Sequence, residues 1–513
     1  MSTVARTRAV SLSGIEGSMV EVEAHMSQGL PHFSLTGLPD KACGQAPDRV
    51  IPAAVSSGVP IVSRRVTVNL SPAAIPKAGT GFDLAIAIAV LAAQRAVSAA
   101  LVAPIVHLGE LGLDGQIRSV RGVLPAVMHA AAAGVRTVVV PVENAAEAQL
   151  VQGVRVHAAP DLRTLVGWYS AAAAGVPLPT PAAHRAADGQ VAAMKDLADV
   201  VGQHQARAAL EVAATGGHHL LLGGPPGVGK TMLAERLVGI LPRLSREQAL
   251  QSLAVRSLAG GVAAADGLDR VPPFVAPHHS ASVPSIVGGG SSSVLPGAIS
   301  RAHHGVLFLD EAAEFPSSVL QTLRQPLESG EVVIARARQV IRYPSRFLLV
   351  LATNPCPCGH GHGKAADCSC RPQAIRSYFA KLSGPLLDRV DIRVDVPSVP
   401  TSALAGGAGE SSAVVAARVR NGRAAAAVRW AEFGFACNGE APGPLLRRSP
   451  FRLAATSTLR LEQLLDRGQL SLRGYDRALR VAWTLADLAG RSVPTREDVE
   501  TALGLRASSL AAA

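Results

Sequence analysis

Short β-branched runs alternate with apolar, Ala-rich stretches over the first third of the chain. Val66–Leu70, Ile105–Leu108 and Thr137–Val142 predict strands, and Leu84–Ala93 and Leu124–Ala133 predict helices. Residues 169–193 are dense in Ala, Gly and Pro and read as a linker. A second α/β pattern fills 194–400 and holds three continuous apolar strands, Leu220–Leu222, Val306–Leu309 and Phe347–Ala352. A soft segment at 401–413 separates it from 414–513, which is rich in Ala, Leu and Arg and reads as helical. The pattern predicts a multidomain α/β protein with units at 1–168, 194–400 and 414–513.

Composition narrows this picture. A chain of 513 residues with 48% hydrophobic and 17% charged positions can bury a large core and is not disordered. The formal charge of +11 suits a polyanionic partner such as nucleic acid or a nucleotide. About +2 of it lies in the first 190 residues and about +9 in the remainder. Aromatic residues make up only 3%, which argues against base stacking as the main binding mode. The mean hydropathy of +0.26 raises the question of a membrane span. The best apolar stretch, Leu84 to Ala103, follows Asp83 and is broken by Gln94 and Arg95, short of the roughly 18 apolar residues a span needs. Arg6 and Arg8 are followed by no apolar region and soon by Glu16, so no signal peptide is expected. A soluble, cytoplasmic protein with no membrane partner is the expectation.

The most specific chemistry lies at 220–231. An apolar strand runs into Gly223-Gly224-Pro225-Pro226-Gly227-Val228-Gly229-Lys230-Thr231, which fits G-x-x-x-x-G-K-[ST] from Gly224. The glycines let backbone N–H groups face phosphates, Lys230 can reach the β and γ oxygens, and Thr231 can ligate magnesium at a helix N-terminus. The eight residues Gly224 to Thr231 are therefore the expected nucleotide cradle. Some eighty positions on, a second apolar strand ends in Asp310-Glu311. Asp310 would hold the magnesium shell and Glu311 would polarise the attacking water. The third strand ends at Asn354, where an amide could orient that water or the γ-phosphate; alone, such an Asn is a turn former. Arg389 is a candidate arginine finger toward a neighbouring subunit, and Arg473, opening a C-terminal helix, a candidate second sensor of the γ-phosphate. The other reading of each is an ordinary surface arginine. A finger acting in trans requires a ring.

Longer motifs carry a family likeness. PFVAPHHSAS, VGGG, PGAISRAHHGVLFLDEAAEF and LRQPLESGEV within 273–332, NPCPCG at 354–359 and SGPLLDRVDI at 383–392 closely resemble the magnesium-chelatase-like AAA+ ATPases of the ComM/YifB family. GLPHFSLTGLPD, VTVNLSPAAIPKAGTGFDLAIAIAVLAA, GELGLDGQIRSVRGVLP and LSLRGYDRALRVAWTLADLAG extend the resemblance over nearly the whole chain. It implies an AAA+ P-loop core with an N-terminal Lon-protease-like α+β domain, a β-hairpin before the first sensor and a C-terminal helical lid. It further implies a hexamer that uses ATP and Mg2+ to move along single-stranded or branched DNA, driving branch migration in natural transformation. One departure is that Ala298 replaces a family acid and Arg301 a leucine, which removes whatever that acid supports. In the Lon-like part, Gly81 stands where a serine nucleophile would be and Gly122–Pro125 offers no lysine. Without both there is no acyl-transfer chemistry, and the domain is expected to serve as a scaffold for ring assembly or DNA contact.

Two further features remain. Cys356, Cys358, Cys368 and Cys370 offer four thiolates in two close pairs, a candidate structural Zn2+ site, with free thiols or a redox pair as alternatives and His360 and His362 as substitute ligands. Cys43 and Cys437 read as packed thiols. His278, His279, His303 and His304 lack the partner spacing of a second metal site and are expected to line the insertion or to contact phosphate. Between Glu331 and Phe347, apolar and basic residues alternate in a hairpin pattern, which would put Arg336, Arg338, Arg342 and Arg346 near its tip and flanks. In a ring they would track DNA phosphates; the other reading is a solvated edge. A chelatase-like or chaperone-like ATPase that remodels a protein partner is the alternative function.

Overall fold

The computed structural model describes residues 3–181, 195–260, 267–290, 294–336, 339–361, 368–382, 384–399 and 409–506. Arg338, His362 and residues 182–193 and 401–408 of the two expected linkers lie outside the described residues. The helix Leu162–Ala173 runs on into the first of those linkers.

The N-terminal unit is a seven-stranded mixed sheet in the order His32–Thr36, Arg65–Ser71, Glu16–Ser27, Thr3–Ser13, Val106–His107, Thr137–Pro141, Arg155–Ala159. The long hairpin at its centre turns Ala5, Thr7, Ala9 and Ser11 inward and leaves Val4, Arg6 and Arg8 exposed, the period-2 signature of a strand with one buried face. Behind it lies the helix Asp83–Ala93, buried along its whole length. Its one charge, Asp83, is held bidentately by Arg49 at 2.6 and 2.8 Å. Thr7 donates to the carbonyls of Val102 and Ile105, and His107 links Thr7 to the Tyr169 hydroxyl. Burial drives the His107 imidazole down to about 3, so it sits in the core neutral.

The middle unit is a parallel five-stranded sheet in the order Phe274–Val275, Val306–Leu309, Leu348–Thr353, Leu220–Gly223, Ile392–Asp395. Its strands read as continuous apolar runs because both faces are covered. Leu220, Leu222, Val306, Phe308, Val350 and Ala352 face the helices His204–Gly216 and Lys230–Ile240 and the C-terminal helices, whereas Leu221, Leu307, Leu309, Leu349 and Leu351 face the opposite cluster. Ala298 is fully buried in that second cluster, so the position replaced by alanine is apolar core here.

The C-terminal helices Ser412–Trp430, Ala455–Asp466, Leu472–Leu488 and Arg496–Gly504 share the first of these clusters with the sheet, through Trp430, Leu461, Trp483 and Val499. A buried polar network reinforces the junction: His218 bonds the Thr484 hydroxyl at 2.8 Å, and Asn438 donates to Thr484 and Asp487. The N-terminal unit docks on the helix Arg246–Ala259, whose Leu253 and Ala254 enter its core and whose Ser257 donates to buried Glu147 at 2.7 Å. Among the described residues, no helix is long and apolar enough to cross a membrane.

Candidate nucleotide-binding site

The site forms where three adjacent parallel strands, Leu220–Gly223, Leu348–Thr353 and Val306–Leu309, run out at their C-terminal ends, the place where open α/β sheets bind ligands. Gly224 must lack a side chain, because a Cβ there would collide with the Val396 carbonyl oxygen. Gly229, at φ +91°, caps the helix Lys230–Ile240 in the left-handed region that favours glycine. The loop thereby delivers Lys230 to the start of that helix. Its ammonium donates to the carbonyls of Gly224 (2.6 Å) and Pro225 (2.8 Å) and to Asn354 Oδ1 (3.0 Å). Burial lowers the Lys230 pKa, and the nearby Asp310 and Glu311 carboxylates act against that shift.

Thr231 Oγ1 donates to Asp310 Oδ2 at 2.6 Å, and Asp310 Oδ1 accepts the Glu311 N–H at 3.0 Å. A hydroxyl and a carboxylate in direct contact beside a phosphate loop form an all-oxygen donor pair suited to Mg2+. Glu311 adopts φ +50°, uncommon for a residue with a side chain, and its Oε2 lies 3.1 Å from His279 Nδ1. His279 is expected from the sequence to line the insertion or to contact phosphate; its pairing with Glu311 is what that reading missed. The histidine lies in a loop with no periodic signal, and its partner is 32 positions away; only the placement of Phe274–Val275 beside Val306–Leu309 brings the two together.

The two arginines lie apart from this constellation. The Arg389 guanidinium pairs with Glu328 and donates to the Pro385 carbonyl. Arg473 is exposed in the first turn of Leu472–Leu488, one turn before Arg477, which reaches the core to pair with Asp391 at 2.5 Å. The structure thus brings together Lys230, Thr231, Asp310, Glu311 and Asn354 and leaves Arg389 and Arg473 outside that group.

The four cysteines converge. Cys356, Cys358, Cys368 and Cys370 offer sulfurs all within 4.8 Å of one another. The Cys356–Cys358, Cys356–Cys368 and Cys358–Cys368 sulfur pairs are 3.3, 3.7 and 3.7 Å apart. A tetrahedral zinc with Zn–S bonds of about 2.3 Å needs sulfurs about 3.8 Å apart, so the set fits the ion. The loop also touches the phosphate loop: at Gly359, φ +83°, a Cβ would lie 2.9 Å from the Pro226 ring.

The basic hairpin pairs Glu331–Arg336 with Gln339–Pro344 in antiparallel register. Arg336 is next to the tip and contacts the Gly290 carbonyl, and Arg342 lies mid-strand, paired with Glu331. Arg346 follows the second strand and sits at the base of the hairpin, against Gly330, with its N–H donated to His303 at 3.1 Å. The turn of the N-terminal hairpin rests here too, since Gly14 abuts the Arg342 carbonyl and Ile15 packs into the adjoining core cluster. In the N-terminal unit, Thr80 donates to Glu110 and the buried Lys77 donates to the Pro72 carbonyl, so that hydroxyl and that ammonium are engaged separately.

Comparison with known proteins agrees along the chain. The family model of magnesium chelatase, subunit ChlI, matches residues 196–404. A second model, of subunit ChlI of Mg-chelatase, matches 22–144, and one of the ChlI C-terminal region matches 409–506. An uncharacterized protein of Mycobacterium tuberculosis is 49% identical over 503 residues, 98% of either chain. Competence protein ComM of Haemophilus influenzae is 41% identical over 497 residues, 96% of each chain. The YifB protein of Escherichia coli is 39% identical over 508 residues, covering 98% of this chain and 97% of its own.

Proposed function

The chain belongs to the ComM/YifB family of magnesium-chelatase-like AAA+ ATPases, and from that membership we propose that it is a ring-forming, ATP-driven DNA motor, a branch-migration helicase acting in recombination or natural transformation. The observation that carries the reading is the convergence of Lys230, Thr231, Asp310, Glu311 and Asn354 at one sheet edge, with an arginine-bearing hairpin inserted between the strands that carry Glu311 and Asn354. The competence role of the Haemophilus relative supports the choice of DNA as the partner.

In this reading the Gly224–Thr231 loop and the Lys230 ammonium bind the β and γ phosphates of ATP. Thr231 and Asp310 would hold Mg2+, which when bound neutralises charge on the phosphate oxygens. Glu311 takes the proton of the attacking water as its oxygen adds to the γ-phosphorus and ADP departs, and Asn354 orients that water. Arg389 reaches the nucleotide of the neighbouring subunit in a hexamer, once freed from Glu328. Arg473, on the lid, senses the γ-phosphate. Arg336, Arg338, Arg342 and Arg346 grip DNA phosphates without reading sequence. The cysteine loop holds a structural zinc that fixes the path from Asn354 to Arg389. The N-terminal unit is a Lon-protease-like scaffold without a catalytic dyad, in keeping with the separate engagement of Thr80 and Lys77. Stimulation of ATP turnover by single-stranded or four-way-junction DNA tests the proposal; turnover indifferent to DNA, with no DNA binding at low salt, would favour remodelling of a protein partner.

A further inference from the structure

We propose that Tyr378 is a positioning residue for Asn354: its hydroxyl, through that of Thr353, fixes the strand end from which the Asn354 amide is aimed when ATP is bound. The inference rests on the proposed roles of Lys230 at the phosphates and of Asn354 at the attacking water.

The chain that leaves the core sheet at Asn354 carries the four cysteines and then enters the helix Pro372–Ala380. Pro372 opens that helix, where its missing N–H and fixed φ cost nothing. Ile375, Tyr378 and Leu382 follow at spacings of three and four, which turns them to one side. Tyr378 is the buried residue of the helix, 4% exposed, and its ring joins the cluster of Leu349, Leu351 and Ala313. The helix packs on Ala312–Glu314, the turn that follows Glu311, and so comes back to the ends of the strands Val306–Leu309 and Leu348–Thr353.

The Tyr378 oxygen is closed off from solvent and has no partner in hydrogen-bond geometry among the described residues. Burial raises its pKa, and the Glu314 and Glu311 carboxylates add to the rise; the Thr353 hydroxyl and the Asn354 backbone stand near enough to act against it. The group is therefore an O–H donor at neutral pH. A buried hydroxyl left unbonded is costly, and a phenylalanine would fill the same space without that cost. Its neighbours show what the hydroxyl can do. Thr353, itself fully buried, donates its own proton to the Asn354 carbonyl at 3.2 Å, and its oxygen can still accept from Tyr378. In this structure Asn354 Oδ1 accepts from Lys230 at 3.0 Å. An ammonium that turns to the β and γ phosphates gives up that bond, and the amide loses the partner that orients it. A small shift of the strand end then closes the chain Tyr378–Thr353–Asn354 and fixes the backbone that carries the amide.

Steady-state ATP turnover and calorimetry of the full chain, for Tyr378→Phe, Asn354→Ala and the double variant, test this. All rates are taken without DNA, so a failure of the motor reading leaves the test intact. Tyr378→Phe keeps the ring and removes only the hydroxyl. Losing one hydrogen bond that positions a reacting group is worth a rate factor of about 3 to 10. The kcat should fall by that factor, while KM for ATP stays within about 2-fold. Tm should hold within about 1 °C or rise, because a buried hydroxyl without a partner adds nothing to the nucleotide-free fold. In the Asn354→Ala background, Tyr378→Phe should lower kcat by less than about 2-fold further, since the two act as one unit. An unchanged kcat in Tyr378→Phe would overturn the inference, as would a loss accompanied by a Tm drop above about 1 °C, or a loss that persists in full beside Asn354→Ala. A wild-type kcat in Asn354→Ala would remove the proposed role of Asn354 and the inference with it. A slow Asn354→Ala beside a normal Tyr378→Phe would sink the inference alone.

Discussion

Asp391→Asn is the perturbation whose size the structure defines best. Asp391 is 3% exposed and lies immediately before the core-sheet strand Ile392–Asp395. Its Oδ1 accepts from Arg477 of the helix Leu472–Leu488 at 2.5 Å, and its Oδ2 accepts the His219 N–H at 3.2 Å. Burial alone would raise its pKa; Arg477, with His218 and His219, outweighs burial and holds the carboxyl well below its ordinary value. Removing the charge leaves Arg477 facing the core uncompensated, with Arg480 and Arg506 close by, and breaking a buried pair in this way costs about 3–5 kcal/mol. At about 2.1 cal/mol/K per residue, a core and lid of roughly 300 residues unfold with an entropy near 0.6 kcal/mol/K, so Tm should fall by about 5–8 °C. Differential scanning calorimetry measures this directly. Adding Arg477→Met to Asp391→Asn should recover at least half of the loss, because the stranded charge is then gone. The sign in pH follows from the depressed pKa: the contribution is complete above the unfolded value of about 3.9 and is lost as pH falls through the lower folded value. The gap between wild type and variant should thus be flat from pH 5 to 8 and close only below about pH 4. A Tm change under about 1 °C, or no recovery in the double variant, would refute Asp391–Arg477 as the tie between lid and core.

Three more outcomes follow from the same geometry. Metal analysis of the purified protein should find about one zinc per chain, and Cys368→Ser with Cys370→Ser should lose it; unchanged content would refute the site. Arg336→Ala with Arg342→Ala should weaken DNA binding alike across sequences and reduce the slope of log affinity against log salt by about 2, whereas an unaltered slope would mean that neither side chain meets phosphate. Gly359→Val would force a side chain at φ +83° against the Pro226 ring, and should weaken binding of a fluorescent ATP analogue by about 5-fold, a cost near 1 kcal/mol; unchanged affinity would mean that the cysteine loop does not bear on the phosphate loop.

What could be read from residues alone follows from how local each signal is. Leu220–Gly223, Val306–Leu309 and Leu348–Thr353 are legible because both of their faces are buried, so the apolar run is continuous. The loop at Gly224–Thr231 is legible because glycine spacing and lysine position are themselves the phosphate geometry. The strand Thr3–Ser13 is concealed because its inward positions are Ala5, Thr7, Ala9 and Ser11, small or hydroxylated residues that a search for hydrophobic alternation passes over. His279 with Glu311 and Asp391 with Arg477 are concealed for another reason: each pair is joined only by the order of strands or the docking of a helix, 32 and 86 positions apart in the chain. Arg346 belongs by pattern to the hairpin, yet the chain leaves the ladder at Pro344 and carries it to the base, where its backbone engages His303 and His304.

The central claim is that ATP turnover at this site is coupled to DNA. The most direct measurement is the rate of ATP hydrolysis with and without four-way-junction DNA, beside Lys230→Ala, which removes the ammonium that meets the loop carbonyls and Asn354. Turnover should rise several-fold with DNA in the wild type and fall by at least about 100-fold in the variant whether or not DNA is present. Hydrolysis that survives Lys230→Ala, or a wild-type rate that DNA leaves unchanged, would contradict the account.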